Sequence, residues 1–377
     1  MKVEIIGGGP AGVLAAILIK RANKEASVTV YERNAEDDTF GFGVVFSSQA
    51  LEFLEKDDPE TKNLIEPHLL KWNDILINHG GHSIKIDGIG FAGIGRLELL
   101  SLLRHQARQL NVEFLFNCQI QDFTEVLSAD LVIGADGANS LLRKSFANDF
   151  SEEVSYLTNR FIWYGTRCPF HCLTQSFVDS PYGEMNAHHY SYKPGHSTFI
   201  IEMTSKTFES THFQSKSEIE WRKSCEDIFQ TVLQGHELIP NHSHWRQFPV
   251  VSCQNWYINN VCLIGDALHT AHFSIGSGTR LALEDALALV SSLKACDWNI
   301  SSGLEMFQLQ RKPILHKITQ AGLKSGEWYE SFDEKMKLKT WEFVYSYITR
   351  AGRVDPKRLE SGSPKFFSAL RSSGVKL

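Results

Sequence analysis

The first 32 residues constrain the fold more than any other stretch of the chain. Residues 3–6 form a short apolar run, a glycine-rich segment follows at 7–12, a helical apolar pattern continues to about residue 22, and residues 28–31 form a second apolar run. This order predicts a strand, a tight turn, a helix and a second, parallel strand. Glycines occupy the three positions that permit the turn, the approach of a pyrophosphate and the packing of helix on strand: Gly7, Gly9 and Gly12.

The same stretch predicts a dinucleotide-binding site. A helix that begins near Pro10 and Ala11 offers unpaired backbone N–H groups to phosphates. Glu32 follows Gly12 by twenty residues, where a carboxylate accepts hydrogen bonds from the ribose hydroxyls. An ordinary βαβ unit with a glycine-rich turn is the alternative. The two strands, the helix and the acid occur together, so we predict dinucleotide binding.

Composition and charge restrict the partners. The chain has 377 residues, a formal net charge of −6 and a pI near 6.2, which argues against nucleic acid or an anionic membrane as the main partner. The seven cysteines are scattered and odd in number, so we expect reduced thiols. The spacing of Cys168, His171 and Cys172 fits no common zinc motif, and we predict no metal site. No stretch reaches the roughly 18 apolar residues of a membrane span, and the N-terminus leads directly into a strand, so we expect a cytoplasmic protein.

Two acid–glycine turns recur downstream. Asp136 and Gly137 follow the apolar run 131–133, and Asp266 follows the run 261–264. Acids at the carboxyl ends of parallel strands meet ligands in open α/β sheets, although Asp136 alone is also compatible with a helix cap. A loop with Gly276 and Gly278 then opens a predicted helix, which can direct N–H groups at developing negative charge.

Arg96 begins a predicted amphipathic helix over residues 96–110. A cation at a helix N-terminus opposes the helix dipole, so we expect Arg96 to have an anionic partner. A cofactor-facing position is our interpretation, with a surface arginine as the alternative. Residues 114–116 and 131–133 are predicted to be buried strands of the first sheet, whereas four β-rich runs between residues 160 and 203 predict a second, antiparallel sheet.

Taken together, the motifs resemble those of the single-component (class A) FAD-dependent aromatic monooxygenases, which have the p-hydroxybenzoate hydroxylase fold. The matching positions are 7–12 with Glu32 and Arg33, then 136–137 with Arg143, then 265–267 with His269. The resemblance implies an α/β protein with a Rossmann-type FAD-binding domain, an inserted antiparallel-sheet substrate domain and a helical C-terminus. We expect an FAD-binding domain in two parts (1–157 and 254–330), a substrate-binding β-sheet domain (158–253) and a C-terminal helical segment (331–377).

Almost the whole chain is similar to salicyloyl-CoA 5-hydroxylases and to the monooxygenase half of anthraniloyl-CoA monooxygenases. The similarity is carried by residues 40–46 (FGFGVVF), 159–165 (NRFIWYG) and 269–286 (HTAHFSIGSGTRLALEDA). At two positions the chain departs from the wider family: residues 272–274 replace the usual proline, and Arg280 replaces the usual asparagine. The implied FAD-binding residues are Gly7, Gly9, Pro10, Ala11, Gly12, Glu32, Arg33, Val45, Arg96, Asp136, Gly137, Asp266, Gly276, Gly278 and Thr279.

The resemblance also implies the reaction. NAD(P)H, docking transiently, would reduce FAD, O2 would add to form a C4a-hydroperoxide, and an oxygen atom would pass to an aromatic ring that carries OH or NH2. The substrate would be an aryl-CoA or carrier-tethered thioester. His188, Tyr190 and His272 are the candidates for lining the pocket, each with a structural role as the alternative. Arg280 is the candidate for stabilising reduced flavin or an acyl carbonyl.

Several alternatives stay open at this stage. The substrate can be a free aromatic or an indole-type metabolite, and a non-catalytic FAD-fold binding protein is a weaker reading. A halogenase is disfavoured because the Trp-x-Trp-x-x-Pro pattern is absent from the sequence. A monomer and a homodimer are both compatible with the sequence, as is a separate flavin reductase that acts on the product.

Overall fold

A computed structural model describes residues 1–376. The strands are β1 (Lys2–Ile6), β2 (Ser27–Tyr31), β3 (Gly43–Ser47), β4 (Leu70–Trp72), β5 (Ile75–His79), β6 (His82–Ile86), β7 (Phe91–Gly95), β8 (Glu113–Leu115), β9 (Leu131–Gly134), β10 (Glu152–Tyr156), β11 (Arg160–Thr166), β12 (Leu173–Ser180), β13 (Gly183–Lys193), β14 (His196–Met203), β15 (Leu238–Ile239), β16 (Pro249–Cys253), β17 (Tyr257–Ile258) and β18 (Val261–Leu263).

The helices alternate with these strands at first and dominate the C-terminal third. They are α1 (Pro10–Ala22), α2 (Ser48–Asp57), α3 (Pro59–Ile65), α4 (Arg96–Gln109), α5 (Leu141–Ser145), α6 (Ala147–Phe150), α7 (Ser205–Thr211), α8 (Glu218–Ile228), α9 (Gln230–Leu233), α10 (Gly278–Ala295), α11 (Ile300–Tyr329), α12 (Phe332–Lys335), α13 (Thr340–Thr349), α14 (Pro356–Gly362) and α15 (Pro364–Ser372). No helix within residues 1–376 is long and apolar enough to cross a membrane.

A six-stranded sheet forms the first layer, in the order β17-β18-β9-β1-β2-β8. The central strands are parallel, and β18 joins β9 although it lies far downstream in the chain. The predicted strands at 3–6, 28–31, 131–133 and 261–264 are therefore confirmed. The prediction of a buried strand at 114–116 is wrong in one respect: β8 is the edge strand, and Glu113 and Leu115 are exposed.

Helix α1 packs closely on β1 because Gly12 has no side chain. A Cβ at Gly12 would collide with the backbone oxygen of Gly7. The face formed by Val13, Leu14 and Ile17 is completely buried in the core under the sheet. Gly7 itself has a φ of +111°, which a residue with a side chain rarely adopts. The glycine-rich turn is thus fixed by packing on its core side and remains open on its other side.

The second large sheet has seven strands in the order β15-β11-β14-β13-β12-β5-β6. The four β-rich runs predicted between residues 160 and 203 are β11 to β14, and they pair antiparallel. Two strands, β5 and β6, come from an earlier part of the chain, and β5 pairs with β12 in parallel. The sheet is therefore mixed, and it includes strands from the segment assigned to the first part of the FAD-binding domain. The domain boundaries at 157, 253 and 330 stay a prediction.

The C-terminal helices cover the second sheet from one side. Phe177 of β12 packs edge-on against Trp328 and Phe343, with ring centroids 6.0 and 4.7 Å away. These aromatic side chains belong to one buried cluster with Tyr347 and Phe366. They build core rather than a site, and they fix α11 and α13 behind the central strands.

Candidate active site

A first cavity, of about 210 Å³, opens at the carboxyl edge of the six-stranded sheet. Distant segments of the chain line it, among them the glycine-rich turn after β1, the segment after β2, the turn after β9, the turn after β18 and the start of α10. Its lining contains twelve of the predicted FAD-binding residues: Gly7, Gly9, Pro10, Ala11, Glu32, Arg33, Arg96, Asp136, Gly137, Asp266, Gly278 and Thr279. Parallel strands end at one edge, which is why distant motifs meet there.

Glu32 organises the first turn. One carboxylate oxygen accepts a hydrogen bond from the Gly8 N–H at 2.8 Å, and the other accepts from the backbone N–H of Asn34 at 2.9 Å. A Cβ at Gly9 would meet nothing within 4 Å, so the backbone there is open to the cavity. Gly12 faces the core instead, in the packing role expected of the third fingerprint glycine.

Asp136 and Arg143 hold the second turn. The Asp136 carboxylate accepts from the Leu141 N–H at 2.7 Å, while its Oδ1 is buried and has no hydrogen-bond partner in the described chain. The fully buried Arg143 guanidinium donates to the backbone oxygens of Ala138 and Ala267, each at 2.7 Å. Arg143 therefore ties the second motif to the third and does not itself line the cavity.

A buried charge network fixes the third turn. One Asp285 oxygen accepts from the Gly265 N–H at 3.0 Å and lies 2.6 Å from Nε2 of His269, and the other accepts from Arg311 at 2.9 Å. Burial alone would raise the pKa of Asp285, but His269 and Arg311 hold it below its usual value. Arg311 also pairs with Glu284 at 2.8 Å. The charged Asp285 thus positions the backbone beside Asp266.

Arg96 lies where the first cavity meets a second one. Four residues line both cavities: Arg96, Asp266, Gly278 and Thr279. Desolvation lowers the pKa of the Arg96 guanidinium, and the neighbouring Asp266 carboxylate partly offsets that shift. Burial raises the pKa of Asp266 in turn. Within residues 1–376 no carboxylate lies within ion-pair distance of the Arg96 guanidinium, and its Nε has no hydrogen-bond partner, so the anionic partner expected for Arg96 stays a prediction.

The second cavity, of about 510 Å³, extends from this junction between the two large sheets. Val45 and Gly276, two of the residues expected to bind FAD, are among its lining residues. Aromatic side chains form much of the wall beyond: Tyr156, Phe161, Trp163, Tyr190, Phe248 and Phe273. The volume falls within the roughly 300–1,000 Å³ of small-molecule sites, and the lining is mostly apolar with a few polar groups, as is typical of such sites.

His188 is a buried polar residue of that wall. Its Nε2 lies 3.3 Å from the carboxylate of Glu202, a diagonal neighbour on the adjacent strand β14. Glu202 also accepts from the Asn159 amide at 2.9 Å. Burial lowers the pKa of His188 to about 3 and raises the pKa of Glu202. The histidine is therefore neutral near pH 7, held by a buried acid that our reading of the sequence missed.

The other three predicted catalytic residues differ in placement. Tyr190 lines the cavity, but its hydroxyl donates to the Gly43 oxygen at 2.8 Å and so anchors the loop before Val45. His272 lines a separate cavity of about 370 Å³, because its Nδ1 caps the turn at Ser274. Arg280 lines none of these cavities: its guanidinium donates to Glu284 at 2.6 Å, one helical turn away. The structure thus brings His188 and Tyr190 to the cavity and does not bring His272 or Arg280 there.

The first two cavities fit the FAD that the motifs predict. Two buried polar atoms lack hydrogen-bond partners within residues 1–376: Nε of Arg96 at the junction and Oδ1 of Asp136 in the second turn. The glycine-rich turn would receive the pyrophosphate, Glu32 the ribose, and the strip from Val45 to Gly276 the ring system. A planar ring at that strip would face the aromatic wall that contains His188.

Comparison with known proteins agrees with this geometry. Residues 102–321 match the family model described as an FAD binding domain. The chain is 36% identical to salicyloyl-CoA 5-hydroxylase of Streptomyces sp. over 93% of its length and 70% of that protein. It is 31% identical to 3-hydroxy-4-methyl-anthranilyl-[aryl-carrier protein] 5-monooxygenase of Streptosporangium sibiricum, over 94% and 95% of the two chains.

Two further matches concern a third relative and the fold. The chain is 30% identical to protodeoxyviolaceinate monooxygenase of Chromobacterium violaceum, over 94% of its length and 96% of that protein. The solved structure of 2-methyl-3-hydroxypyridine-5-carboxylic acid oxygenase superposes with a TM-score of 0.72 at 18% identity, covering 96% of this chain and 95% of the other. At that identity the superposition shows a shared fold.

Proposed function

Because the chain belongs to the FAD-binding family of class A aromatic hydroxylases, we propose that it hydroxylates an aromatic ring carrying OH or NH2 and held as a thioester. NAD(P)H would be the electron donor and O2 the oxidant. The observation that carries the proposal is the junction at Arg96 and Asp266, where the dinucleotide cradle opens into the aromatic cavity. The thioester is supported by two relatives whose names specify a CoA or carrier-protein substrate.

When bound, FAD supplies the electron transfer and the activation of dioxygen. The protein would contribute orientation, exclusion of water and placement of charge. Arg96 presents a positive charge at the junction, beside the strip where reduced flavin would carry negative charge. The aromatic wall holds a ring by apolar contact and edge interactions.

His188 would accept a hydrogen bond from the substituent that activates the ring. Its Nε2 is directed at Glu202, so the other ring nitrogen is the one available to a substrate hydroxyl or amine. Burial lowers the pKa of His188 to about 3, so the neutral imidazole accepts a hydrogen bond near pH 7 but does not hold a proton. A hydrogen bond to that nitrogen would orient a phenol or aniline and add to the electron density at its ortho and para positions, where oxygen transfer would occur.

Hydroxylation of a free aromatic or an indole-type metabolite is the second candidate. It is favoured by the 30% identity to protodeoxyviolaceinate monooxygenase over nearly the whole of both chains. The two candidates differ in the carrier on the substrate and not in the cofactor site.

Stopped-flow reduction of the FAD-loaded protein by NADPH and by NADH tests both candidates. It would be run with salicylate, 2-aminobenzoate, tryptophan and the CoA thioesters of the first two acids. Faster bleaching with a thioester alone, together with a hydroxylated product, is the expected result. Faster bleaching with a free aromatic alone would refute the thioester and retain the hydroxylase. If no aromatic compound accelerates bleaching by either nucleotide, the proposed reaction fails.

A further inference from the structure

Arg246 lines the aromatic cavity without a counter-charge. Two cationic side chains, Arg96 and Arg246, are among its lining residues, and Asp266 is the one carboxylate among them. Asp266 neighbours Arg96 at the junction. In residues 1–376 the Arg246 guanidinium has neither an ion pair nor a side-chain hydrogen bond, so its donors are available to a ligand.

The position of Arg246 is fixed by the sheet. Its backbone exchanges two hydrogen bonds with Phe161, at 2.9 and 3.0 Å, and its guanidinium carbon lies 5.9 Å from the centroid of the Phe161 ring. The Phe161 ring is 4.9 Å from that of Phe273, which is 5.1 Å from His188. A chain of ring contacts thus connects Arg246 with the histidine that we propose to activate the substrate.

The surroundings of Arg246 favour an anionic ligand. Desolvation lowers the pKa of its guanidinium, and no neighbouring carboxylate counters that shift. Arg246 is nonetheless an exposed residue that lines the cavity, so it lies where the cavity meets solvent. An anion that binds there gains a charge-assisted hydrogen bond and displaces no carboxylate. Arg222, by contrast, pairs with Glu218 and Glu226.

We propose that Arg246 binds an anionic oxygen group of the aromatic substrate, either a carboxylate or a phosphate. The proposal rests on the proposed function, because it concerns the same cavity. A guanidinium presents planar, paired donors, which match carboxylate and phosphate equally well. A carboxylate would belong to a free aromatic acid, and a phosphate would belong to the carrier of a thioester.

Arg160 provides a matched control. It lies on the neighbouring β11 and its guanidinium carbon lies 5.6 Å from the centroid of the Phe208 ring, as Arg246 does over Phe161. It lines none of the three cavities described above. The R160Q variant therefore removes a similar charge and ring contact outside the site.

The test measures dissociation constants by calorimetry for the FAD-loaded wild type, R246Q, R246K and R160Q. The ligands are salicylate, salicyloyl-CoA and the N-acetylcysteamine thioester of salicylate, which has neither carboxylate nor phosphate. We expect R246Q to weaken binding of an anionic ligand by about tenfold or more, since the lost hydrogen bond is charge-assisted. R246K should restore part of the loss, and R160Q should leave binding unchanged.

The ligand that loses affinity identifies the group: salicylate alone indicates a carboxylate, and salicyloyl-CoA alone indicates a phosphate. The proposal is overturned if R246Q binds every ligand as wild type does, if the uncharged thioester loses as much affinity, or if wild type binds no anionic ligand. Binding is measured without turnover. A wild type that binds these ligands but hydroxylates none would therefore refute the proposed function and leave this assignment standing.

Discussion

Replacing Asp285 with Asn tests whether the buried charge network shapes the cofactor site. Asn keeps the size of the side chain but loses the charge and one acceptor, so Gly265, His269 and Arg311 can no longer all be satisfied. Breaking a buried ion pair costs roughly 3–5 kcal/mol, and the remaining Arg311–Glu284 pair reduces this to about 3 kcal/mol. We expect the melting temperature of the FAD-free protein to fall by roughly 4 °C, because the unfolding entropy of a chain of this length is about 0.8 kcal/mol/K.

The same substitution should weaken FAD binding, because the Gly265 N–H holds the turn that carries Asp266. We expect the dissociation constant, measured by flavin fluorescence titration, to rise by about tenfold, equivalent to about 1.4 kcal/mol. Glu284→Gln is the control: Glu284 contacts Arg280 and Arg311 but no backbone group of the turn. D285N with unchanged FAD affinity, or E284Q with an equal loss, would refute the positioning role.

Three further outcomes are expected. Gly12→Ala should prevent stable folding, because its Cβ would collide with the backbone oxygen of Gly7. Gly9→Ala should fold and lose FAD affinity. Melting followed by circular dichroism and the content of bound flavin distinguish the two variants. Burial lowers the pKa of His189 to about 3, so the unfolded chain binds the extra proton below pH 6.5 and stability falls on acidification by up to about 1.4 kcal/mol per pH unit. His189→Gln should reduce the slope in urea unfolding between pH 6.5 and 4.5 by about one proton, with the contribution of His188 remaining. An unchanged slope would contradict the assignment. Arg280→Gln should change kcat/KM by less than about threefold, since the side chain pairs with Glu284 of its own helix and lines no described cavity. A large loss of turnover would show that Arg280 does act in the active site.

The sequence was sufficient for the cofactor half of the site. The motifs are short, and each follows a buried strand of a parallel sheet. The turn geometry at a strand end therefore determines where the glycines, Glu32 and the acids lie. Twelve of the fifteen predicted FAD-binding residues line one cavity as a result. Of the other three, Val45 and Gly276 line the second cavity, and Gly12 packs against the backbone behind the turn.

The substrate half was predictable only in part, because its residues meet across strands. Glu202 and His188 become neighbours through the register of β13 and β14, which the sequence does not display. A charged residue inside the apolar run of β14 was the available signal for Glu202. Arg246 gave no signal, since a single arginine before a strand resembles many surface positions. Arg280 was misplaced because its partner Glu284 is one helical turn away, and that pairing directs the side chain along α10.

The far-downstream position of β18 has a consequence for synthesis of the protein. β9 is flanked by β1 and β18, and β18 lies about 130 residues after β9 in the chain. At ribosomal rates of about 5–20 residues per second, one edge of β9 remains unpaired for roughly 6–25 s until β18 has been synthesised. An open strand edge is a site for wrong pairing during that interval. The cavity that would hold FAD is complete only after Asp266, which follows β18, has been made, so a bound cofactor would stabilise the finished chain.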